Sequence, residues 1–465
     1  MTATAMGLPA IKIPSCGLDV HKDKIDACVI NAEGKKEIKT FETVRKSLYE
    51  LRDWIVSKRC MNVLMESTSV YWIPIYEILE DVNGMDVGVG NARNMKQVPG
   101  RPVTDKEDAS WISRLCAMGL VLKSFVVGRR FRELREYTRY HKKLVQERAR
   151  QVNRIEKQLQ MNGFKLSSVL SDITGISGMK LLKKLRDKGS VTLTEVKQSL
   201  DGRVKKTAVE IESAINGNMK LTSRLLLGKM LTKLERSDDE IEEIYKMMVD
   251  TSRDYRPQIK IIDSIPGLGE LSAIYIIAEI STDLSSFRTA NHITAWAGLA
   301  PKENESAGKL KSSRTKKANK YIKSVLIECA WAAVRTRNTR ISNWYWSNVK
   351  RLGEKKAITG VARKLLVYIY TMLKNGNLYD DSLDVADTQR REAQKLESVR
   401  KIVAHQTYRA DHYGHTTDSD QNDVDALVYK GDTAKPLNTE PPIARKRGRP
   451  RKAAIESIKT VINTN

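Results

Sequence analysis

The chain has 465 residues and carries 81 lysines and arginines against 56 aspartates and glutamates, which gives a formal net charge of +25 at pH 7. That length exceeds a single hydrophobic core and suits two or three domains. A protein this basic favours a polyanionic partner, most commonly nucleic acid, although charge alone also fits a basic protein without one. The sequence has no apolar run that could span a bilayer and no secretory signal, so we expect no membrane partner and a cytoplasmic location.

The cysteines argue against two kinds of site. They are odd in number and follow no metal-ligand spacing: Cys16, Cys28, Cys60, Cys116 and Cys329. This arrangement favours neither a zinc site nor disulfide bonds. We predict that the cysteines are small buried thiols of a protein in a reducing compartment.

The first part of the chain alternates short strands with helices. After a lead-in over residues 1–15, the runs CGLDV, IDACVI and KEIKTF predict a three-stranded meander, and NVLME and MDVGVG predict two more strands. A helix from Thr104 to Met118, with Thr104 as its N-cap, ends the region. The pattern predicts an α/β domain over residues 16–120 with a sheet like that of ribonuclease H.

Four carboxylates in this domain stand where a metal-dependent nuclease would need them. Asp19 lies in the first predicted strand, Glu66 ends NVLME, and Asp105 and Asp108 are three residues apart on one helix face. Carboxylate oxygens suit Mg²⁺ or Mn²⁺, and such ions suit phosphoryl chemistry. Any one of these residues alone fits a solvated surface acid, but their order predicts a catalytic metal site.

Residues 121–255 predict a helical linker. Apolar residues recur every seven positions in two helices: Val145, Val152 and Leu159, then Leu227, Leu234, Ile241 and Met248. These heptads predict either a coiled coil between chains or two amphipathic helices that pack on each other within one chain.

Residues 256–378 predict a helical domain. The run KIIDSIPGLGELSAIYIIAEI has the form of two helices around a Pro-Gly turn, a helix-hairpin-helix-like arrangement whose amides could bind phosphate. A turn between two core helices has the same pattern. A basic run beyond it favours contact with a nucleic-acid backbone, or else forms a solvated charged face; its residues are Lys309, Lys311, Arg314, Lys316 and Lys317.

Residues 379–465 predict a disordered tail that ends in a basic cluster. The core Arg447-Gly448-Arg449-Pro450 resembles an AT-hook, in which Arg447 and Arg449 would enter a narrow A·T minor groove. The alternative is a basic tail without groove preference.

Two sets of segments resemble one known family. The segments GLDVHKDKIDACVI, MESTSVYW and TDKEDA are similar to the N-terminal domain of the DEDD transposases, whose catalytic domain resembles the RuvC Holliday-junction resolvase. The segments IPGLGELSAIYIIAEI, AWAGLAPKENESAGK and KANKYIKSVLIECAW are similar to the family's C-terminal transposase domain. The resemblance covers about residues 16–119 and 259–376, and it implies a RuvC-like domain, a coiled-coil linker and a helical C-terminal domain.

The resemblance also implies roles for particular residues. The family's acidic tetrad maps onto the four carboxylates Asp19, Glu66, Asp105 and Asp108. Its nucleophilic serine, in a Ser-x-Gly-Lys-like loop after Gly-Leu-x-Pro, maps onto Ser306, with Ser312 and Ser313 as further candidates. Ala318 departs from the family, which often has glycine there.

The activity implied by the resemblance is the excision and integration of an insertion sequence. Strand cleavage would be metal-assisted and would pass through a covalent phosphoserine. The partners would be donor and target DNA, a structured bridge RNA, and further copies of the chain in a dimer that assembles to a tetramer, associated with the nucleoid. Two alternatives remain, a metal-dependent Holliday-junction or flap nuclease that uses water, and a non-catalytic nucleic-acid-binding derivative.

Overall fold

The structure is a computed structural model that describes residues 11–92, 95, 97–98, 105–301, 305–306, 309–310, 315, 318–381, 397 and 400. The described residues up to Asp380 form one compact unit. Several residues singled out from the sequence lie outside the described ones: Thr104, Lys311, Ser312, Ser313, Arg314, Lys316, Lys317, Arg447 and Arg449.

A five-stranded mixed sheet forms the centre of the first domain. Its strands are β1 (Ser15–Val20), β2 (Lys24–Ile30), β3 (Lys36–Glu42), β4 (Asn62–Glu66) and β5 (Asp86–Gly90), in the order β3-β2-β1-β4-β5. The first three strands pair antiparallel, and β4 and β5 run parallel to β1. The predicted meander and the two later strands are confirmed, and the mixed sheet is consistent with a ribonuclease H-like domain.

Helices cover both faces of this sheet. On one face lie α1 (Arg45–Ser57) and α2 (Trp72–Glu80), whose apolar side chains share a core with alternate residues of β1 such as Leu18. On the other face lies α3 (Asp105–Met118), which contacts β1, β2 and β4. Because side chains alternate along a strand, the odd-numbered residues of β1 face α3.

The linker folds as an antiparallel hairpin of two long helices, α4 (Arg129–Gln160) and α8 (Leu221–Thr251). Near the middle, the Tyr140 hydroxyl donates a hydrogen bond of 2.6 Å to Glu240, and nearer the tip Gln151 donates one of 3.2 Å to the carbonyl of Met230. At the tip, three short helices pack on the hairpin: α5 (Ile176–Lys188), α6 (Leu193–Ser199) and α7 (Ala208–Ala214). Of the heptad residues, Leu159, Leu227 and Leu234 are buried within one chain, as the alternative of two helices packed on each other predicts, whereas Val145 is exposed. Pairing between chains stays a prediction.

The second domain is helical, as the sequence predicts. Its helices are α9 (Arg256–Asp263), α10 (Glu270–Ile280), α11 (Ala290–Trp296), α12 (Lys320–Arg335), α13 (Arg340–Leu352) and α14 (Glu354–Asn375). Two short strands precede α12, namely β6 (Glu305–Ser306) and β7 (Lys309–Leu310). Over the part of the chain that the structure describes, no helix combines the length and the apolar content needed to cross a membrane.

The Pro-Gly turn between α9 and α10 packs into this helical core. Gly267 has a φ of +87°, and a Cβ added to it would lie 2.2 Å from the backbone nitrogen of Ala333 in α12. The neighbouring Ile265 and Leu268 are buried. This packing favours the alternative of a turn between two core helices over a turn whose amides face a phosphate.

Candidate active site

Small residues bring α3 close to β1. A Cβ added to Gly17 would lie 2.3 Å from the carbonyl oxygen of Ala109 and 2.2 Å from the nitrogen of Ser113. The Ser15 hydroxyl donates to the carbonyl of Ser113 at 3.1 Å, and the Ser113 hydroxyl donates to the carbonyl of Ser15 at 2.9 Å. Ser15, Gly17 and Asp19 alternate along β1 and therefore share the face against α3.

The same contacts set which part of α3 lies near Asp19. Ser113 lies beside Ser15 and Ala109 beside Gly17, so α3 runs antiparallel to β1. A helix advances about 6 Å in four residues, and a strand advances about as far in two. The first turn of α3, which begins at Asp105, therefore reaches the level of Asp19.

The electrostatics of Asp19 agree with this placement. The side chain is buried, with 5% of its surface exposed. Burial raises the pKa of Asp19, the nearby His21 opposes that rise, and the carboxylates of Asp108 and Asp26 raise the pKa further. Bringing these negative charges together in a buried place destabilises the ionised form, and a cation would relieve that cost.

Glu66 reaches the same face from the neighbouring strand. β1 and β4 are parallel with Leu18 opposite Met65, so the next residues along are Asp19 and Glu66. Leu64, two residues before Glu66, belongs to the hydrophobic cluster formed with α3. Alternation along the strand then puts Glu66 on the α3 side of the sheet.

The backbone thus brings the four predicted carboxylate positions to one end of one face of the sheet. They come from β1, β4 and the first turn of α3: Asp19, Glu66, Asp105 and Asp108. For Asp105 the structure describes the backbone alone, at the first residue of α3.

Among the described side chains, the ones that lie close enough to Asp19 to share a metal ion with it are His21 and Asp26, which the sequence did not single out. The Nε2 atom of His21 lies 3.0 Å from Oδ2 of Asp19, and Asp26 is the cross-strand partner of Asp19. Ligand atoms of these three residues lie within 4.8 Å of one another, a separation that one metal ion could span. Lys24 and Thr40 donate to Asp26 at 2.8 and 2.6 Å, and these hydrogen bonds lower its pKa although burial acts the other way. The signal that could have found Asp26 is the register of a short hairpin between two strands that each carry an aspartate.

Ser306 lies in a short two-stranded sheet of the second domain. β6 and β7 pair antiparallel with Ser306 opposite Lys309. At the base of this segment, where the chain enters and leaves it, an antiparallel bridge joins Pro301 to Thr315. At that base, Nζ of Lys323 in α12 donates to the Thr315 hydroxyl at 2.7 Å. The described residues of this segment, namely Pro301, β6, β7 and Thr315, are called the serine hairpin below. For Ser306 and Lys309 the structure describes the backbone alone.

A buried polar network lies beside the end of this segment, and sequence patterns did not indicate it. Glu279 of α10 is 2% exposed, and its carboxylate accepts two hydrogen bonds from Arg139 of α4, at 2.9 and 3.1 Å. Asn319, the N-cap of α12, donates to the same carboxylate at 2.6 Å. Arg135 donates to the backbone carbonyl of Glu279 at 2.8 Å. Burial lowers the pKa of Arg135 to about 10, a shift that the Glu279 carboxylate opposes, so Arg135 stays charged at neutral pH.

The same helix α4 also contacts the first domain. Arg129 donates to Asp81 at 2.8 Å, and Arg132 forms an ion pair with Glu80 of α2. The Arg132 guanidinium also lies over the ring of Tyr76, 5.3 Å from its centre. The first turns of α4 therefore hold both domains.

Two family models match the chain in the order of these two domains. One, described as a transposase and of the DEDD type found in IS110, matches residues 16–162; the other, described as a transposase of the IS116/IS110/IS902 family, matches residues 259–345. Together with the mixed sheet and its acidic face, these matches define the class as a DEDD transposase. The chain belongs to the IS110 family of these proteins.

Curated relatives match a part of the chain. A transposase for insertion sequence element IS1111A from Coxiella burnetii is 27% identical over 168 residues, which are 34% of this chain and 45% of that protein. An uncharacterized 42 kDa protein of insertion element IS900 from Mycobacterium paratuberculosis is 26% identical over 35% of this chain and 40% of its own length. A pilin gene-inverting protein of Moraxella bovis is 25% identical over 29% of this chain and 42% of its own length. The chain spans less than half the length of these relatives.

Proposed function

We propose that the protein is a DNA transposase that cuts and rejoins strands to excise and integrate an insertion sequence. The carrying observation is the parallel register of β1 and β4, which sets Asp19 and Glu66 side by side on the face that the first turn of α3 reaches. Membership of the IS110 family supports the same activity. The Moraxella relative, named for the inversion of a pilin gene, supports rejoining as well as cutting.

The proposed metal ligands are the four carboxylates of the tetrad, Asp19, Glu66, Asp105 and Asp108. A bound Mg²⁺ or Mn²⁺ would polarise the scissile phosphate. His21 and Asp26 support the role of Asp19 in this set, because His21 orients the Asp19 carboxylate and Asp26 adds negative charge beside it. Oxygen-rich donor sets of this kind suit hard divalent ions.

The proposed nucleophile is Ser306. Its Oγ would attack phosphorus and form a phosphoserine ester while the bond from phosphorus to one deoxyribose oxygen breaks, which leaves a free hydroxyl on the other DNA end. Attack of a hydroxyl on the phosphoserine reverses the step, so strands can rejoin without an external energy source. The position of Ser306 opposite Lys309 supports this role, since a cationic strand beside it would attract the DNA backbone.

The proposed partners are donor and target DNA, a structured bridge RNA and further copies of the chain, in a dimer that assembles to a tetramer at the nucleoid. The net charge of +25 supports polyanionic partners. We assign contacts with the nucleic-acid backbone to the basic residues between positions 309 and 317, and minor-groove contacts to the tail: Lys309, Lys311, Arg314, Lys316 and Lys317, then Arg447 and Arg449.

A covalent trapping experiment tests this proposal. The full chain with its co-purified RNA, a DNA substrate and Mg²⁺ should give a protein–DNA adduct after a denaturing quench, and S306A should give none. S312A is the matched comparison, because Ser312 is the further candidate in the same segment, and this variant should keep the adduct; an adduct lost in S312A and kept in S306A would make Ser312 the nucleophile. Efficient cleavage by the wild-type protein without any adduct would favour a nuclease that uses water. DNA binding without cleavage would favour the non-catalytic alternative.

A further inference from the structure

The polar network around Glu279 reaches the segment that carries the proposed nucleophile. We propose that Glu279 is a positioning residue that sets the serine hairpin for attack, acting through Asn319 and the first turn of α12. This inference rests on the proposed role of Ser306. It assigns to a buried carboxylate of the second domain a task that the acidic tetrad does not perform.

The burial of Glu279 is the first observation in favour. A carboxylate that is 2% exposed has lost its water, and replacing a buried ion pair by apolar residues is often neutral or stabilising. The rest of the inner face of α10 is apolar and lies in the main core of the domain. Stability alone would therefore be served as well by apolar residues in place of both Glu279 and Arg139, and what the charged pair adds is a fixed geometry of contacts.

Asn319 joins this carboxylate to the beginning of α12. Its Oδ1 atom accepts hydrogen bonds from the backbone nitrogens of Tyr321 and Ile322 at 3.0 and 3.4 Å, and its Nδ2 atom donates to Glu279 at 2.6 Å. Both ends of the amide are thus used, which fixes its orientation. Glu279 in this way fixes the position of Asn319, the N-cap from which the chain enters α12 after the serine hairpin.

The first turn of α12 continues the path to the serine hairpin. Lys323 donates to the hydroxyl of Thr315, and Thr315 forms the bridge with Pro301 at the base of the hairpin. Arg139 also lies over the ring of Tyr321, 4.3 Å from its centre, so the guanidinium that holds Glu279 touches α12 directly. An unbroken series of contacts therefore runs from α4 through Glu279 to the base of the hairpin.

The variant N319S removes one hydrogen bond of this series, the one from Asn319 to Glu279. Serine is a good N-cap, so α12 keeps its cap, whereas the donor to Glu279 is lost. T315V cuts the same path at the hairpin base, because valine keeps the shape of threonine and removes the hydroxyl that accepts from Lys323. The control is T339A, which removes the N-cap of α13, where the Thr339 hydroxyl accepts from the nitrogen of Ser342, and leaves the path intact.

The experiment measures three quantities for each variant: the single-turnover rate of adduct formation at saturating DNA, the affinity for DNA, and the unfolding temperature. We expect N319S and T315V each to slow adduct formation by about tenfold or more with little change in affinity, because small misplacement of a nucleophile costs rate. T339A should lower the unfolding temperature and keep the rate. Since both path variants interrupt the same series of contacts, the double variant should be no slower than the slower single one.

The outcomes separate the two levels of the proposal. A wild-type protein that cleaves DNA without a Ser306-dependent adduct would overturn the proposed function, and the positioning role with it. A wild-type adduct together with wild-type rates in N319S and T315V would overturn the positioning role alone. Rates that fall only in proportion to the unfolding temperature, in T339A as in N319S, would also overturn it and leave a structural role.

Discussion

The two halves of the proposed active site are held in different ways. Around Asp19, the backbone does the positioning: strand register sets Glu66 beside it, and direct contact of Gly17 with α3 fixes the helix that carries Asp108. At the base of the serine hairpin, the described contacts are the backbone bridge between Pro301 and Thr315 and the hydrogen bond from Lys323 to the Thr315 hydroxyl, and Asn319 caps the helix that follows. Metal ligands need fixed geometry to within fractions of an ångström, which a sheet and a close-packed helix supply. The serine hairpin is positioned in part by side chains, so single substitutions can change its placement.

The largest effect should come from removing charge in the acidic half. D19N keeps the shape of the side chain and should lower strand cleavage by about a thousandfold, the size of effect seen when a group that stabilises the transition state is lost. Binding of DNA and the fold should persist, because the buried acids then repel one another less. Cleavage assays in Mg²⁺ with D53N, a change of an exposed carboxylate on α1, provide the control. Full cleavage by D19N would remove Asp19 from the site.

A smaller effect should follow from pushing α3 away from the sheet. G17A places a methyl group where the backbone of Ala109 and Ser113 now lies, so the helix must shift, at a cost of about 1–3 kcal/mol. Because that helix carries Asp108, cleavage should fall as well. Urea unfolding and cleavage are compared with G202A, where an added Cβ meets nothing within 4 Å. If G17A matched G202A in both measurements, backbone contact would not be what positions the acidic half.

The smallest effect concerns two carboxylates at the tip of the linker, whose pKa values are lowered, whereas the pKa of Asp19 is raised. A hydrogen bond from Lys188, together with those from Thr192, lowers the pKa of Glu195 to about 2, and Lys206 does the same for Glu210. A carboxylate with a lowered folded-state pKa stabilises the fold above its ordinary value of 4.5, and this contribution is lost as pH falls toward 2. The difference in unfolding temperature between the wild type and E195Q should therefore shrink over that range. A constant difference would assign the effect to packing.

The sequence predicted the parts of this structure that depend on local pattern. Short apolar runs located all five strands, and the order of the acids predicted a metal cluster that includes Asp19 and Glu66, which the parallel register sets side by side. His21 and Asp26 escaped notice because their closeness to Asp19 depends on the hairpin register.

The network in the second domain could not have been predicted in this way. Arg139 and Glu279 are 140 positions apart, and Asn319 lies another 40 beyond, so no periodicity relates them. The local sign of this network in the sequence was a glutamate near the end of an otherwise apolar helix, Glu279 in ELSAIYIIAEI. For a related reason, the heptads could not distinguish a coiled coil between two chains from two helices packed within one chain. The period of seven is the same whether the partner helix belongs to the same chain or to another.

The arginines at the start of α4 have a consequence for building chimeric proteins. Arg132 faces Glu80 of the first domain and Arg139 faces Glu279 of the second, on one uninterrupted helix. Each residue added to a helix turns everything beyond it by about 100°, so one inserted residue between them would leave at most one of the two contacts in phase. The helix α4 therefore belongs to both domains, and a junction on either side of these arginines separates one of them from its acid. A chimera joined at residue 120 would need an acid for Arg132 in its first domain, and one joined after Arg139 would need an acid for Arg139 in its second domain.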